Sequence, residues 1–305
     1  MKMRAFDALA AQLWAIDEAW LELMASISLG EGEGPEAVAA KLGRPLQNAQ
    51  ESTVRDGVAI HPVIGPLFRY ANLFTMVSGA TSIEVLARDF GAAEANPEVR
   101  RHLLEVNSPG GQADGVNELA KMIAGARKPV VAYVGGMAAS GGYWIASAAD
   151  QVVIDETAQL GSIGVVMQIE KSKRPGDDSF EIVSSRSPRK RIDPRTDEGR
   201  AEILSRIDAI ADVFIVAVAD YRGVSIEHVG AEFGGGGIVV GAKAISAGMA
   251  DTLGSFESTL AQLAGGYEPR RRRKMTNISI SEEDLGKRIE AARSEARTAG
   301  VEGGR

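Results

Sequence analysis

One serine in this chain stands where a hydroxyl group can be made reactive. Residues 129–150 read PVVAYVGGMAASGGYWIASAAD, with Ser140 between small residues and a glycine pair. The apolar run Val130–Val134 predicts a buried strand, and Tyr143–Ala149 has helical character. A serine at a strand-to-helix junction is lifted out of the sheet, and the N–H groups that follow it lack intrahelical partners. A nucleophile with oxyanion donors beside it needs those ingredients. A second glycine pair, Gly110–Gly111, also follows a strand (Leu103–Val106). Ligands of open α/β sheets gather at strand carboxyl ends, so N–H groups of both turns can converge on one oxygen. The same pairs also suit close-packed turns without chemistry.

The sequence restricts the choice of base. No Gly-x-Ser-x-Gly elbow is present, and none of the three histidines (His61, His102, His228) lies near Ser140 in a known motif order. No two of them are close enough in sequence to suggest a metal pair. Cysteine is absent, which removes thiolate catalysis, disulfides and cysteine metal sites. Lysine is the remaining base, and Ser–Lys pairs are an accepted variant of the triad. Lys190 lies in SSRSPRKRID (184–193), where Arg186, Arg189 and Arg191 favour its neutral form. A solvated basic loop is the other reading of that stretch.

Positioning these groups requires alternating strands and helices. Thr81 or Ser82 can cap a helix running to about Ala95, which Asn96-Pro97 stops. A second helix is expected from about Gly115 to Ala126. A long one is expected from Thr196 to Tyr221, with Ile203, Ile207, Ile210, Phe214 and Val218 on one face. Val58–Ile60 and Val63–Ile64 read as short strands punctuated by Pro62, and Val152–Ile154 and Phe180–Val183 as further strands. The alternation indicates an α/β domain. Ahead of it, Phe6, Leu9, Leu13, Ile16, Trp20, Leu23 and Ile27 trace one apolar stripe of a helix, suited to its own domain or to a neighbouring subunit. The chain divides into a helical N-terminal arm (1–50), a globular domain (51–268), and a basic linker, Arg270–Lys274, leading into a helical tail (269–305).

With 305 residues and a net charge of −7, the composition argues against general nucleic-acid binding. No apolar run reaches the roughly 18–20 residues a membrane span needs. Asp7, Asp17 and Glu18 fall where a secretion signal would be apolar.

Three motifs, VNSPGG (106–111), GGMAASGGYWIA (135–146) and GSIGV (161–165), in that order and at that spacing, resemble the signal peptide peptidase A (protease IV-like) family of serine peptidases. TSIEVL (81–86) and GAKAISAGMADTLGS (241–255) extend the likeness over about residues 54–256. The resemblance implies a Clp protease/crotonase-like α/β fold of stacked parallel sheet with flanking helices. It also implies a Ser–Lys endopeptidase that needs no cofactor or metal. By position, Ser140 matches the nucleophile and Lys190 the base, although SPRKRIDP (187–194) matches the family's lysine segment only loosely. Ser162 matches the serine that holds the lysine amine, and Gly110 the backbone oxyanion donor, with Gly141 N–H as its companion.

The chain resembles most the phage head maturation protease and minor capsid protease–scaffold branch. GPEAVAAKLGRPL (34–46), a single protease unit, no N-terminal anchor and the tail 275–300 carry that likeness. It implies capsid and scaffold proteins as substrates, a homo-oligomeric ring, phage portal or capsid partners, and neither nucleic acid nor membrane. The place of action would be the cytoplasm of a bacterial host and the phage procapsid. Met275 would permit an internal start. Three alternatives stay open: a soluble host signal peptide peptidase, an acyl-CoA enzyme sharing the oxyanion turns, and an inactive assembly module.

Overall fold

The computed structural model describes residues 14–16, 51–71, 79–167, 186 and 192–269. Strands β1 (Trp14–Ile16), β2 (Thr53–Arg55), β3 (Val58–Ile64), β4 (Leu67–Phe68) and β5 (Thr81–Ser82) lead into helix α1 (Ile83–Ala95). Then follow β6 (Arg101–Ser108), β7 (Gly110–Gln112), α2 (Val116–Ala124), β8 (Val130–Ala139), α3 (Gly141–Ser147), β9 (Gln151–Ile154) and β10 (Gln159–Gly161). The described chain closes with α4 (Asp197–Arg222), α5 (Ile226–Glu232), β11 (Ile238–Val240), α6 (Ala242–Ala247), β12 (Thr252–Leu253) and α7 (Phe256–Ala264).

The result is a mixed α/β architecture with flanking helices. A large sheet runs in the order β11–β10–β8–β6–β3–β2, and β9 branches from β8 to carry β12. Its central neighbours β3, β6, β8 and β10 are parallel, while β2 and β11 are antiparallel edges. Residues along the buried strands alternate between two covered faces, as a parallel sheet requires. Leu104, Val106, Ala132, Val134, Val152 and Ile154 pack in the main core with the helices α1–α4. Leu103, Val131 and Val153 meet Leu260 and Leu263 of α7 on the other face. A smaller sheet, β1–β7–β4–β5, stands beside the large one.

Several local expectations hold. Ser82 caps α1 by accepting from Val85 N–H at 3.4 Å, and Asn96 ends it. Thr196 caps α4 by accepting from Gly199 N–H at 3.0 Å. Others are corrected. Trp14–Ile16 are extended rather than helical and pair with β7, so at Ile16 strand addition overrides helical periodicity. Pro62 does not divide β3. The strand β2 pairs only with Val58–Ile60, which leaves β3 one-sided at Pro62, where a residue lacking N–H is tolerated. The central strand continues through its glycines to Ala139, and α3 begins two residues earlier than its aromatic residues suggest. On α4, Phe214 and Val218 are buried, but Ile203, Ile207 and Ile210 are only partly so. Helices α5 and α7 were not anticipated. The rest of the N-terminal stripe, Phe180–Val183, Lys190 and the tail from 270 lie outside the described residues.

Candidate active site

The strand registers bring Gly110, Ser140 and Ser162 into one row. Ser108 of β6 pairs with Ala138 of β8, and Ala139 of β8 pairs with Gly161 of β10. Ser140 and Ser162 are therefore equivalent positions, each one residue past the end of adjacent parallel strands about 4.8 Å apart. Gly110 follows the end of the strand on the opposite side of β8. All three lie at strand carboxyl ends, and Gly141 opens α3 immediately after Ser140.

A glycine-built irregularity sets this alignment. Between the paired positions Val106/Val134 and Ser108/Ala138, β6 has one residue and β8 has three, Gly135 to Met137. The excess is a bulge that re-aims the end of β8. Asn107 Oδ1 accepts from Met137 N–H at 3.1 Å within it, and a Cβ at Gly136 would stand 2.7 Å from that oxygen. The fork of β8 begins here: Val131–Val134 pair with β9, and Met137–Ala139 with β10.

Ser140 is held in a conformation that L-residues rarely adopt, φ 51° and ψ −121°. Ser162 also has positive φ, 50°, and Asp56 is the only other non-glycine to do so among the described residues. Such backbone is worth of order 1–3 kcal/mol of strain per residue and persists only where its surroundings over-determine it. Here Ser140 N–H donates to Gly161 O at 2.7 Å, Trp144 N–H to Ser140 O at 2.9 Å, and Ser162 N–H to Gly237 O at 2.7 Å. Ser140 is 1% exposed, and its hydroxyl lies 3.5 Å from Gly164 O. Below it, Trp144 stacks on Phe214 at 4.3 Å between centroids, and Tyr143 Oη donates to Met249 O at 3.0 Å.

The glycine turn at Gly110–Gly111 is also built tightly. Gly142 packs on Ser108, where a Cβ would lie 2.8 Å from Ser108 O. A Cβ on Gly111 would sit 2.0 Å from Leu67 O, so only glycine lets β7 approach β4. The Gly110 N–H donates to Ser108 Oγ at 3.2 Å, and Ser108 Oγ donates to Gly65 O at 2.7 Å. Sequence reading left Ser108 without a role; its place directly before the Pro-Gly-Gly turn was the available signal. No side chain caps α3, and its first N–H groups have no intrahelical acceptor.

The histidines are accounted for elsewhere. Register places His61 and His102 on adjacent strands, with His61 Nε2 3.0 Å from His102 Nδ1. Ser52 Oγ lies 2.9 Å from His61 Nδ1, and His102 Nε2 3.0 Å from Glu94 Oε2. The sequence separation of 41 hid this contact. Burial pushes the His61 imidazole down to about 3 and also lowers His102, against the pull of Glu94. His102 sits six residues before Ser108, about 20 Å along β6 from the serine row. His228 Nε2 lies 2.8 Å from Ala247 O. No group of three or more His, Cys, Asp or Glu among the described residues is arranged to hold a metal ion.

These features define a mixed α/β domain organised around a strained, buried serine at the end of its central strand. Residues 123–268 match the model of peptidase family S49. It is 28% identical to Capsid assembly protease C of Escherichia phage lambda, over 90% of this chain and 62% of that protein. It is 31% identical to Head-tail preconnector protein GP5 of Enterobacteria phage P21, over 69% and 43% respectively. Protease 4 of Salmonella typhi is 32% identical over 56% of this chain and 29% of its own length. The chain thus spans less than two thirds of each of these relatives.

Proposed function

We propose that this protein is a serine endopeptidase of Clp protease/crotonase-like fold that processes phage capsid and scaffold proteins during prohead maturation. The observation that carries the reading is the backbone of Ser140, a buried serine held at φ 51° where three parallel strands end together. That conformation persists because the hydrogen bonds around Ser140 over-determine it, as strained functional residues require. The relatives named for capsid assembly and head–tail connection support the phage context.

In this reading Lys190, as the neutral amine, removes the Ser140 hydroxyl proton while Oγ attacks the peptide carbonyl carbon. The tetrahedral oxyanion accepts hydrogen bonds from the N–H groups of Gly110 and Gly141. Collapse breaks the C–N bond, the Lys190 ammonium returns the proton to the leaving amine, and an ester remains on Ser140. Lys190 then takes a proton from water, whose oxygen attacks the ester carbonyl; the C–Oγ bond breaks, the Lys190 ammonium returns the proton to Ser140 Oγ, and the acid is released. Ser162 accepts from or donates to the lysine amine and so orients it, the role an aspartate has in a triad. Lys190 acts within one chain or across two in a homo-oligomeric ring, inside the host cell and procapsid. For the Gly110 N–H to serve the oxyanion it must share or leave the 3.2 Å bond to Ser108 Oγ.

The test is incubation with the cognate capsid and scaffold proteins, with products mapped by mass. Ser140→Ala should reduce cleavage by about 10⁴-fold or more with circular dichroism unchanged. Cleavage that survives the substitution would remove Ser140 as nucleophile. Degradation of membrane-derived signal peptides in place of scaffold would favour the second reading, a signal-peptide-type protease, to which the likeness to Protease 4 points.

A further inference from the structure

The strand β1 covers the outer edge of β7, the strand that begins at the proposed oxyanion donor Gly110. In the small sheet, β7 is bounded by β4 on one side and by β1 on the other, and β1 is the terminal strand. Removing β1 would leave Gly110–Gln112 as an open edge, ready to take up an extended peptide by main-chain pairing. The pairing is antiparallel, with Trp14 opposite Gln112, Ala15 opposite Gly111, and Ile16 opposite Gly110. The segment therefore runs N to C towards Gly110, the proposed oxyanion donor. A peptide about to be cut must do the same, because its carbonyl has to arrive at the donors with the residues before it trailing along the edge. A strand of opposite sense would present the amine side instead.

We propose that Trp14–Ile16 is a resident acyl-side mimic: the chain's own N-terminal arm fills the peptide-binding edge of β7 and holds the protease inhibited in cis until it is displaced. The inference rests on the peptidase reading above and adds the substrate's binding edge, its direction and its intramolecular competitor. Three residue pairs make a weak strand, but tethering gives it a millimolar-scale effective concentration, enough to compete with a dilute peptide. A concentrated or multiply anchored substrate displaces it, so inhibition is graded by substrate supply.

The test is the double variant Ala15→Pro/Ile16→Pro. Adjacent strand residues point their N–H groups to opposite sides, so one of the two must face β7, and proline removes both. Toward a short fluorogenic peptide, KM should fall about fivefold or more with kcat unchanged, the signature of a relieved competitor. A synthetic peptide copying residues 10–20 should inhibit the double variant competitively and the parent chain far more weakly. An unchanged KM in a variant whose Ser140 reacts normally with a fluorophosphonate would overturn the proposal. Binding of the same peptide, fluorescently labelled, to Ser140→Ala chains gives a readout independent of turnover. Binding strengthened by the proline pair supports the resident strand, and binding indifferent to it overturns it. If peptide binding responds as expected while no Ser140-dependent hydrolysis occurs in any variant, the peptidase reading fails and the occupied edge stands.

Discussion

Ser140 and Ser108 divide the work of the site at the scale of single residues. Ser140 bears the strained backbone, and Ser108, two residues before the proposed donor glycine, accepts the Gly110 N–H. Ser108→Ala removes an acceptor from Gly110 and a donor to Gly65 O without changing the packing of Gly142 on the Ser108 backbone. We expect kcat to fall about tenfold with KM little changed and the melting temperature lowered by a few degrees, measured on a peptide substrate. The paired histidines make a different prediction. His61 has its pKa held at about 3 against an ordinary 6.5, so the unfolded chain takes up a proton that the fold refuses. Stability is then fully present above about pH 6.5 and is lost as pH falls towards 3, on the order of 4 kcal/mol from this group. Glu94, whose carboxyl is held low by the Arg127 and His102 hydrogen bonds despite its burial, acts in the same direction at lower pH. Urea midpoints measured between pH 7 and 4 should fall, and His61→Asn should flatten the dependence.

At the scale of elements, legibility followed the range of the interactions involved. The Ser82 cap on α1, the Thr196 cap on α4 and the strand at Val152–Ile154 depend on residues within a few positions, and the sequence displayed them. The alignment of Gly110, Ser140 and Ser162 was readable only as three glycine-marked motifs. Their meeting is a matter of register between strands, set by a bulge that no local propensity encodes. Pro62 misled because its acceptability depends on how far β2 reaches along β3. Likewise Ile16 fits a helical stripe in sequence, and only the free edge of β7 turns it into strand. Helix α3 holds the serine through Trp144 on Phe214 and Tyr143 on Met249, both distant in sequence. Trp144→Ala should therefore destabilise the fold by about 3–5 kcal/mol and lower activity further than unfolding explains, because α3 loses its seat. Thermal melts alongside active-site titration separate the two effects.

Over the whole molecule, the described residues include the proposed nucleophile, its two proposed donors and the proposed substrate edge, while the proposed base lies outside them. If Lys190 serves the Ser140 of a neighbouring subunit, two individually inactive variants, Ser140→Ala and Lys190→Ala, should regain activity when unfolded and refolded together. Mixed rings then contain some sites with both groups, and restored turnover tracks the mixing ratio. A strictly intramolecular pair gives no recovery at any ratio. Sedimentation of the same mixtures reports whether rings form, independently of turnover. No helix among the described residues is long and apolar enough to cross a membrane.

The chain passes from the large sheet to the small one through a single residue, Pro109, between Ser108 and Gly110. The proposed nucleophile follows a strand of one sheet and the proposed substrate edge lies in the other, so this proline, with Gly65–Pro66 between β3 and β4, is one of the two short joints that set their separation. Its ring fixes one backbone rotation and leaves little slack. Any tilt between the sheets is translated at once into a change of reach between attacking oxygen and bound carbonyl. A peptide that lies along β7 and bonds to Ser140 would clamp both sides of that joint. The backbone amides of residues 110–112 should therefore exchange more slowly in the acyl-enzyme than in the free protein.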